Sequence, residues 1–318
     1  MINIVYDPRY NFELGLLGRL HPFDGTKFRR IYDDVCALEG VNIVSPGEPA
    51  ATEVIDQFLS SIMQKKVRDR VFVFRALEVP QLPLVSIEYL DKKVLTPMRW
   101  GVAGTLLAAN RALSDPIVEG QAPVFWNLSG GYHHAMPQSM EGFCIYNDIG
   151  ICHQQLVKAN KLSANDRVLI IDTDAHHGNG NAHTFMETPN VTILDVFNQN
   201  IYPTSDYTRE RVDLPVPLRP GTDGDVYLGQ YEAALNKVGD DARIAFVVAG
   251  TDVLASDKLG GLNLEIADVA AREALTLRAL KKHCIPTVIL GGGGYSKDSA
   301  KSVIAAVKKC ATPDTRTI

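Results

Sequence analysis

Residues 167–180 read RVLIIDTDAHHGNG, an apolar run that passes without a break into aspartates, histidines and a Gly-x-Gly turn. The apolar half is rich in β-branched residues and does not alternate with polar ones, which predicts a strand buried on both faces and therefore a parallel sheet. The polar half then falls just past the strand's carboxyl end, the edge at which open α/β sheets bind ligands. If the chain stays extended there, Asp172, Asp174 and His176 are spaced by two and project to one face. Carboxylate oxygens and an imidazole nitrogen can meet a single cation in that arrangement.

Runs of the same kind recur at 2–6, 41–45, 123–128, 191–197, 243–250 and 286–291, and stretches with helical spacing lie between them at 97–113, 144–160, 226–238, 264–283 and 298–309. Alternating strands and helices predict right-handed βαβ units with helices on both faces of the sheet, the α/β class. Two proline-rich segments, VPQLPL (79–84) and LPVPLRP (214–220), read as surface loops. With no repeat of fixed period and no low-complexity linker, one domain over 1–318 is expected.

Three more polar clusters follow strands. AGTDVLASDKLGG (249–261) offers Asp252 as a third ligand where its strand ends, while Asp257 reads as a turn or cap residue. SGGYHHAMPQSMEGFCIYND (129–148) carries His133 and His134, whose side chains point in different directions. One can stand near a metal-bound water and the other beside it as an electrostatic partner. In LGGGGYS (290–296), four glycines allow a close approach of backbone and a sharp turn that places the Tyr295 hydroxyl. No G-K-[ST] follows these glycines and no G-x-G-x-x-G opens a helix here, which disfavours a nucleotide site; no G-x-S-x-G elbow marks a serine hydrolase. The inventory suits hydrolysis by metal-activated water, because three protein ligands leave a position open for water and substrate.

Composition narrows the partners. A hydrophobic fraction of 46% with 22% charged residues is that of an ordinary globular protein, and excludes disordered and fibrous classes. The net charge of −5 is spread along the chain and the Lys-Lys pairs are isolated, so no nucleic-acid footprint is present. Five cysteines, at 36, 144, 152, 284 and 310, form no C-x-x-C and suit a reducing compartment. The opening MINIVYDPRY shows no charged leader before an apolar run, and no segment has the apolar length of a membrane helix, so a cytoplasmic location is expected.

Taken in order, the tandem His133-His134, GFCIYND, DTDAHHGNG, AGTD and GGGGY segments resemble the histone deacetylase family of the arginase-deacetylase fold group. The flanks IVYDPRYN (4–11), LHPFDGTKF (20–28), VLTPMRWGVAGT (94–105), LDVFNQNIYP (194–203) and AGTDVLASDKLGGL (249–262) resemble its class IV branch. The resemblance implies a three-layer αβα fold around a mostly parallel sheet of about eight strands. It also implies one Zn2+ held by Asp174, His176 and Asp252, with Tyr295 polarising the substrate carbonyl. His134 becomes the general base and then acid, His133 its electrostatic neighbour, and Asp172 and Asn179 the partners of His133 and His134. Gly142 and Phe143 would line an acyl-lysine tunnel, with Leu259 near the rim. Structural K+ or Na+ ions are implied near Asp172, Asp174, His176, Asp195 and Val196, and near Phe185, Thr188 and Val191. The implied substrate is an acylated lysine of a protein; acetylated polyamines and related acylated small amines are the alternative, and neither nucleic acid nor membrane is an expected partner.

Some residues depart from the pattern. Asn179 stands where many class I members have an acid, and His177 where class IV members usually have glutamine. Arginase-like relatives hold a second metal with carboxylates where this chain has Gly178 and Leu254, which argues for one metal and for amide rather than guanidinium hydrolysis.

Overall fold

All seven apolar runs form strands of one sheet in the computed structural model, which describes every residue except 13, 14, 16, 17, 19–21, 164 and 313–318. Leu20 and His21 of the LHPFDGTKF segment lie outside the described residues. The strands are β1 (Ile2–Val5), β2 (Val41–Val44), β3 (Val124–Asn127), β4 (Arg167–Asp172), β5 (Val191–Asn198), β6 (Leu214–Leu218), β7 (Ala242–Val248) and β8 (Thr287–Leu290). Their order is β2-β1-β3-β8-β7-β4-β5-β6, and every pairing is parallel.

Pleating divides the apolar residues between two cores. In β4, Leu169 and Ile171 enter one and Val168 and Ile170 the other; in β7, Ala245 and Val247 oppose Ile244, Phe246 and Val248. Helices Lys27–Val35, Gly224–Leu235, Ile266–Lys282 and Ser299–Ala311 cover the first face, and Thr96–Ser114 and Asp148–Lys158 the second. Each buried Val, Leu or Ile contributes roughly 1.5–3 kcal/mol, so both helical layers are needed to cover strands apolar on both sides. This is the expected three-layer α/β architecture.

The segment 214–220, expected as a loop, instead supplies β6 at the edge of the sheet. Pro215 and Pro217 are tolerated because an edge strand needs donors on one side only, while Val216 and Leu218 turn into the core. VPQLPL (79–84) is a loop, as expected. The short helices Thr52–Phe58, Ser61–Lys66 and Arg70–Ala76 between β2 and β3 have no clear period in sequence, being two turns or less. Among the described residues, no helix is long and apolar enough to cross a membrane.

Candidate active site

The loops after β3, β8, β7 and β4, four adjacent strands at the centre of the sheet, all open at one edge. Asp174 and His176 leave β4, and Asp252 leaves its neighbour β7. One ligand atom from each lies within 4.8 Å of the others. His176 Nδ1 is 2.7 Å from Asp252 Oδ2 and 3.1 Å from Asp174 Oδ1. Both aspartates are fully buried. Burial, followed by the charge of Asp174, pushes the Asp252 carboxyl up to about 7. Burial would lower the His176 imidazole, but its bonds to the two carboxylates hold it up at about 11. Two buried acids this close call for a cation between them, and the donor set of two oxygens and one nitrogen fits zinc with a position left open.

Backbone amides fix the carboxylates from behind. Gly293 N–H donates to Asp174 Oδ2 at 2.7 Å and Ala175 N–H to Asp252 Oδ1 at 2.9 Å. A Cβ on Gly293 would stand 2.7 Å from Asp174 Oδ2 and 2.8 Å from Asp252 Oδ2, so only glycine lets this loop close over the ligands. Asp257, read in sequence as a turn residue, accepts from the N–H groups of Tyr295 and Ser296 at 2.7 and 2.9 Å. It joins the β7 loop to the β8 loop and sets the start of the Tyr295 side chain. The Tyr295 ring then packs edge-on to Phe143 and Phe23. Burial, then the charges of Asp174 and Asp252, push its phenol well up, which keeps it a hydrogen-bond donor.

The two histidines sit side by side with ring centroids 4.0 Å apart. His133 Nδ1–H donates to Asp172 Oδ2 at 2.8 Å, whereas His134 Nδ1 lies 2.7 Å from the Asn179 amide oxygen. Burial lowers His133, but the charges of Asp172 and Asp174 prevail and raise it to about 9. His134 has no carboxylate partner, and burial, then the charge of His133, drive it well below the usual value. The two environments thus favour a neutral imidazole at His134 and a charged one at His133. Their loop is held by Asp148, which accepts from the N–H groups of Gly131 and Tyr132.

Gly142 and Phe143 occupy a tight turn, both with positive φ, against the face of His134. Phe143 and Tyr295 line a cavity together with Phe12, Phe28, Leu77, Val94, Met98 and His133. Leu259 is exposed on the loop that Asp257 anchors and does not line this cavity.

The two implied monovalent sites differ. At the first, Asp195 Oδ2 is engaged by His177 Nδ1 and by Gly178 N–H, while its buried Oδ1 has no partner. Asp172 lies close enough for the Asp195 charge to raise its pKa. An orphaned carboxylate oxygen beside a second buried acid fits K+ or Na+. At the second, the three residues do converge, but around a side chain. Arg211 donates from Nε to Phe185 O (2.8 Å) and from Nη2 to Thr188 O (3.2 Å) and Val191 O (2.6 Å). A guanidinium takes the carbonyls a metal would need and repels it, so a cation there does not fit. Arg211→Met is expected to destabilise the fold by about 1–3 kcal/mol in urea unfolding, since it takes the donor from Val191 O, while Phe185 O and Thr188 O keep the N–H groups of Thr188 and Val191. A change below about 0.5 kcal/mol would show that Val191 O finds another donor.

Three site residues escape the sequence reading. Glu141 donates nothing to the motif but accepts from Asn179 Nδ2 at 2.6 Å. Tyr202 packs its ring 5.3 Å from that of His134. Arg272, fully buried, donates to Thr173 O, one residue before Asp174, and to Gly250 O, two before Asp252. An arginine on the inner face of a predicted helix was the one available signal.

A model of the histone deacetylase domain matches residues 52–310. "Histone deacetylase 2" of Arabidopsis thaliana is 31% identical over 316 residues, covering 96% of this chain and 78% of that protein. The "Acetoin utilization protein AcuC" of Staphylococcus aureus (strain MRSA252) is 32% identical over 206 residues, 61% of this chain, and the match spans 52% of that relative. Among solved structures, a histone deacetylase homologue complexed with SAHA aligns with a TM-score of 0.71 at 20% identity, over 98% of this chain and 84% of that one, a likeness of fold. The matched domain takes in both ligand strands, the tandem histidines and the tyrosine loop, and the chain thus belongs to the histone deacetylase family as a hydrolase of amide bonds.

Proposed function

We propose that the protein is a zinc-dependent deacylase of N6-acyl-lysine, of the class IV branch. The observation that carries this reading is the meeting of Asp174, His176 and Asp252 beside two histidines of opposite charge preference, one of which, His133, lines an apolar cavity. Asp174, His176 and Asp252 would hold the zinc, which when bound supplies Lewis acidity and lowers the pKa of water towards about 7. His134, with Nδ1 tied to Asn179, presents Nε2 to that water and takes its proton. Tyr295 donates its hydroxyl to the oxyanion that develops as the amide is attacked. His133, kept charged by Asp172, offsets the negative charge nearby. His134 then gives its proton to the departing amine.

Turnover of a fluorogenic acetyl-lysine peptide, with and without chelator and zinc, tests the assignment. Acetylated polyamines run beside the peptide separate protein from small-amine substrates; faster turnover of the polyamine would move the substrate assignment and leave the chemistry in place.

The cavity behind Tyr295 suits an acyl tail longer than acetyl. Phe12, Phe28, Leu77, Val94 and Met98 line it, and His133 is the one titratable nitrogen base among its lining residues, with no Asp, Glu, Lys or Arg. Each methylene buried there contributes about 0.8 kcal/mol, so even a partly enclosed eight-carbon tail gains far more than acetyl. A higher kcat/KM is expected for octanoyl-lysine than for acetyl-lysine peptide. Acetyl outpacing every longer chain would reject the acyl preference.

A further inference from the structure

The departure at Asn179 leaves His134 with a neutral partner, and the structure places a carboxylate one step further out. His134 Nδ1 meets Asn179 Oδ1 at 2.7 Å, and Asn179 Nδ2 donates to Glu141 Oε1 at 2.6 Å. Glu141 also lies near enough to Tyr202 for its carboxylate to add to burial in raising that phenol. Its backbone is held by the reciprocal pair Glu141 N–H to Cys144 O and Cys144 N–H to Glu141 O, which closes the turn containing Gly142 and Phe143. That turn lies so near His134 that a Cβ on Gly142 would come within 2.4 Å of the imidazole Cδ2.

We infer that Glu141 is a positioning residue for His134, acting through Asn179. The argument is one of donors and acceptors. A carboxylate only accepts, so Asn179 must turn its NH2 towards Glu141 and its oxygen towards His134. That oxygen accepts, so His134 carries its ring proton on Nδ1 and leaves Nε2 free as the base. Without Glu141 either amide orientation is available, and a flipped Asn179 would donate to Nδ1 and put the proton on Nε2, where it blocks catalysis. The charge adds to this: a charge-assisted bond on the amide N–H strengthens the amide oxygen as an acceptor when His134 becomes imidazolium. An acid at position 179 is thereby replaced by an amide with an acid behind it.

The inference rests on the reading of His134 as the proton-transferring residue. On the zinc-loaded enzyme, Glu141→Ala is expected to lower kcat roughly tenfold, the worth of one strong hydrogen bond, with KM changed less than about twofold. Asn179→Asp is expected to raise kcat severalfold in the Glu141→Ala background and not to raise it in the wild type, where two carboxylates would face each other. The same reversal is expected with Glu141→Gln, which keeps the side chain's shape should the alanine variant fold poorly. An unchanged kcat in Glu141→Ala, a rise in KM alone, or an equal effect of Asn179→Asp in both backgrounds overturns the inference. A measurement independent of turnover separates it from the assigned reaction. Imidazole 15N NMR is expected to show only the Nδ1–H tautomer of His134 in the wild type and a mixture in Glu141→Ala. One tautomer in both would reject the role of Glu141 even if the enzyme is a deacylase. The expected change in an enzyme inactive on acyl-lysine would sustain the role and reject the substrate.

Discussion

Replacing His176 with alanine is expected to abolish both metal binding and turnover. The imidazole stands between Asp252 Oδ2 and Asp174 Oδ1, at 2.7 and 3.1 Å, and it is the nitrogen ligand of the three. Without it the remaining carboxylates face each other in a buried site with no charge between them, and Asp252 is already held high by burial and by Asp174. A proton would then settle on one of them, and a protonated carboxyl is a poor ligand. The loss of activity should exceed the roughly 10–100-fold cost of removing a residue that only supports a ligand. Metal analysis of the purified variant, with rates at saturating zinc, checks this. Stoichiometric zinc retained by His176→Ala would overturn the ligand assignment.

Tyr295→Phe separates binding from chemistry. The backbone at 295 is pinned by Asp257, and the ring is packed against Phe143 and Phe23, so phenylalanine keeps the loop and the cavity wall. Only the hydroxyl is lost, the donor aimed at charge that appears during reaction. Removal of one such donor costs on the order of 10²–10³ in kcat, and zinc content and Tm should stay close to those of the wild type. Near-normal turnover would mean that the glycine loop turns the phenol away from the reacting carbonyl.

The two substitutions bear on different parts of one arrangement. His176 tests whether three residues from two adjacent strands act on one ion. Tyr295 tests whether a third strand's loop brings its hydroxyl to the same place. Loss of metal in the first and retention in the second is the pattern a single shared centre requires.

Much of this molecule was legible without coordinates, for a physical reason. Strands such as VLII in β4 and AFVV in β7 are apolar on both faces, and that pattern has few stable solutions other than a parallel sheet between helical layers. The D-x-D-x-H spacing marked Asp174 and His176 as a pair, though the chain bends between them past the end of β4, with His176 N–H donating to Asp174 Oδ1. What sequence could not supply were relations between residues far apart in the chain. The strand order set β4 beside β7 and β7 beside β8, and only then did Asp252 and Gly293 reach Asp174. LPVPL became an edge strand because β5 offered an open side, a tertiary fact that overrides the prolines. Arg211 fills three carbonyls 20 to 26 residues away, which no local pattern announces. Glu141 gains its place behind Asn179 from a turn packed on His134, 38 residues away from its partner. Sequence by itself determined the class of fold and the chemistry of the groups available, since both follow from local pattern and residue type. Tertiary structure alone decided which of those groups stand together and which carboxylate stands behind Asn179, because these depend on distances of a few ångströms across the sheet.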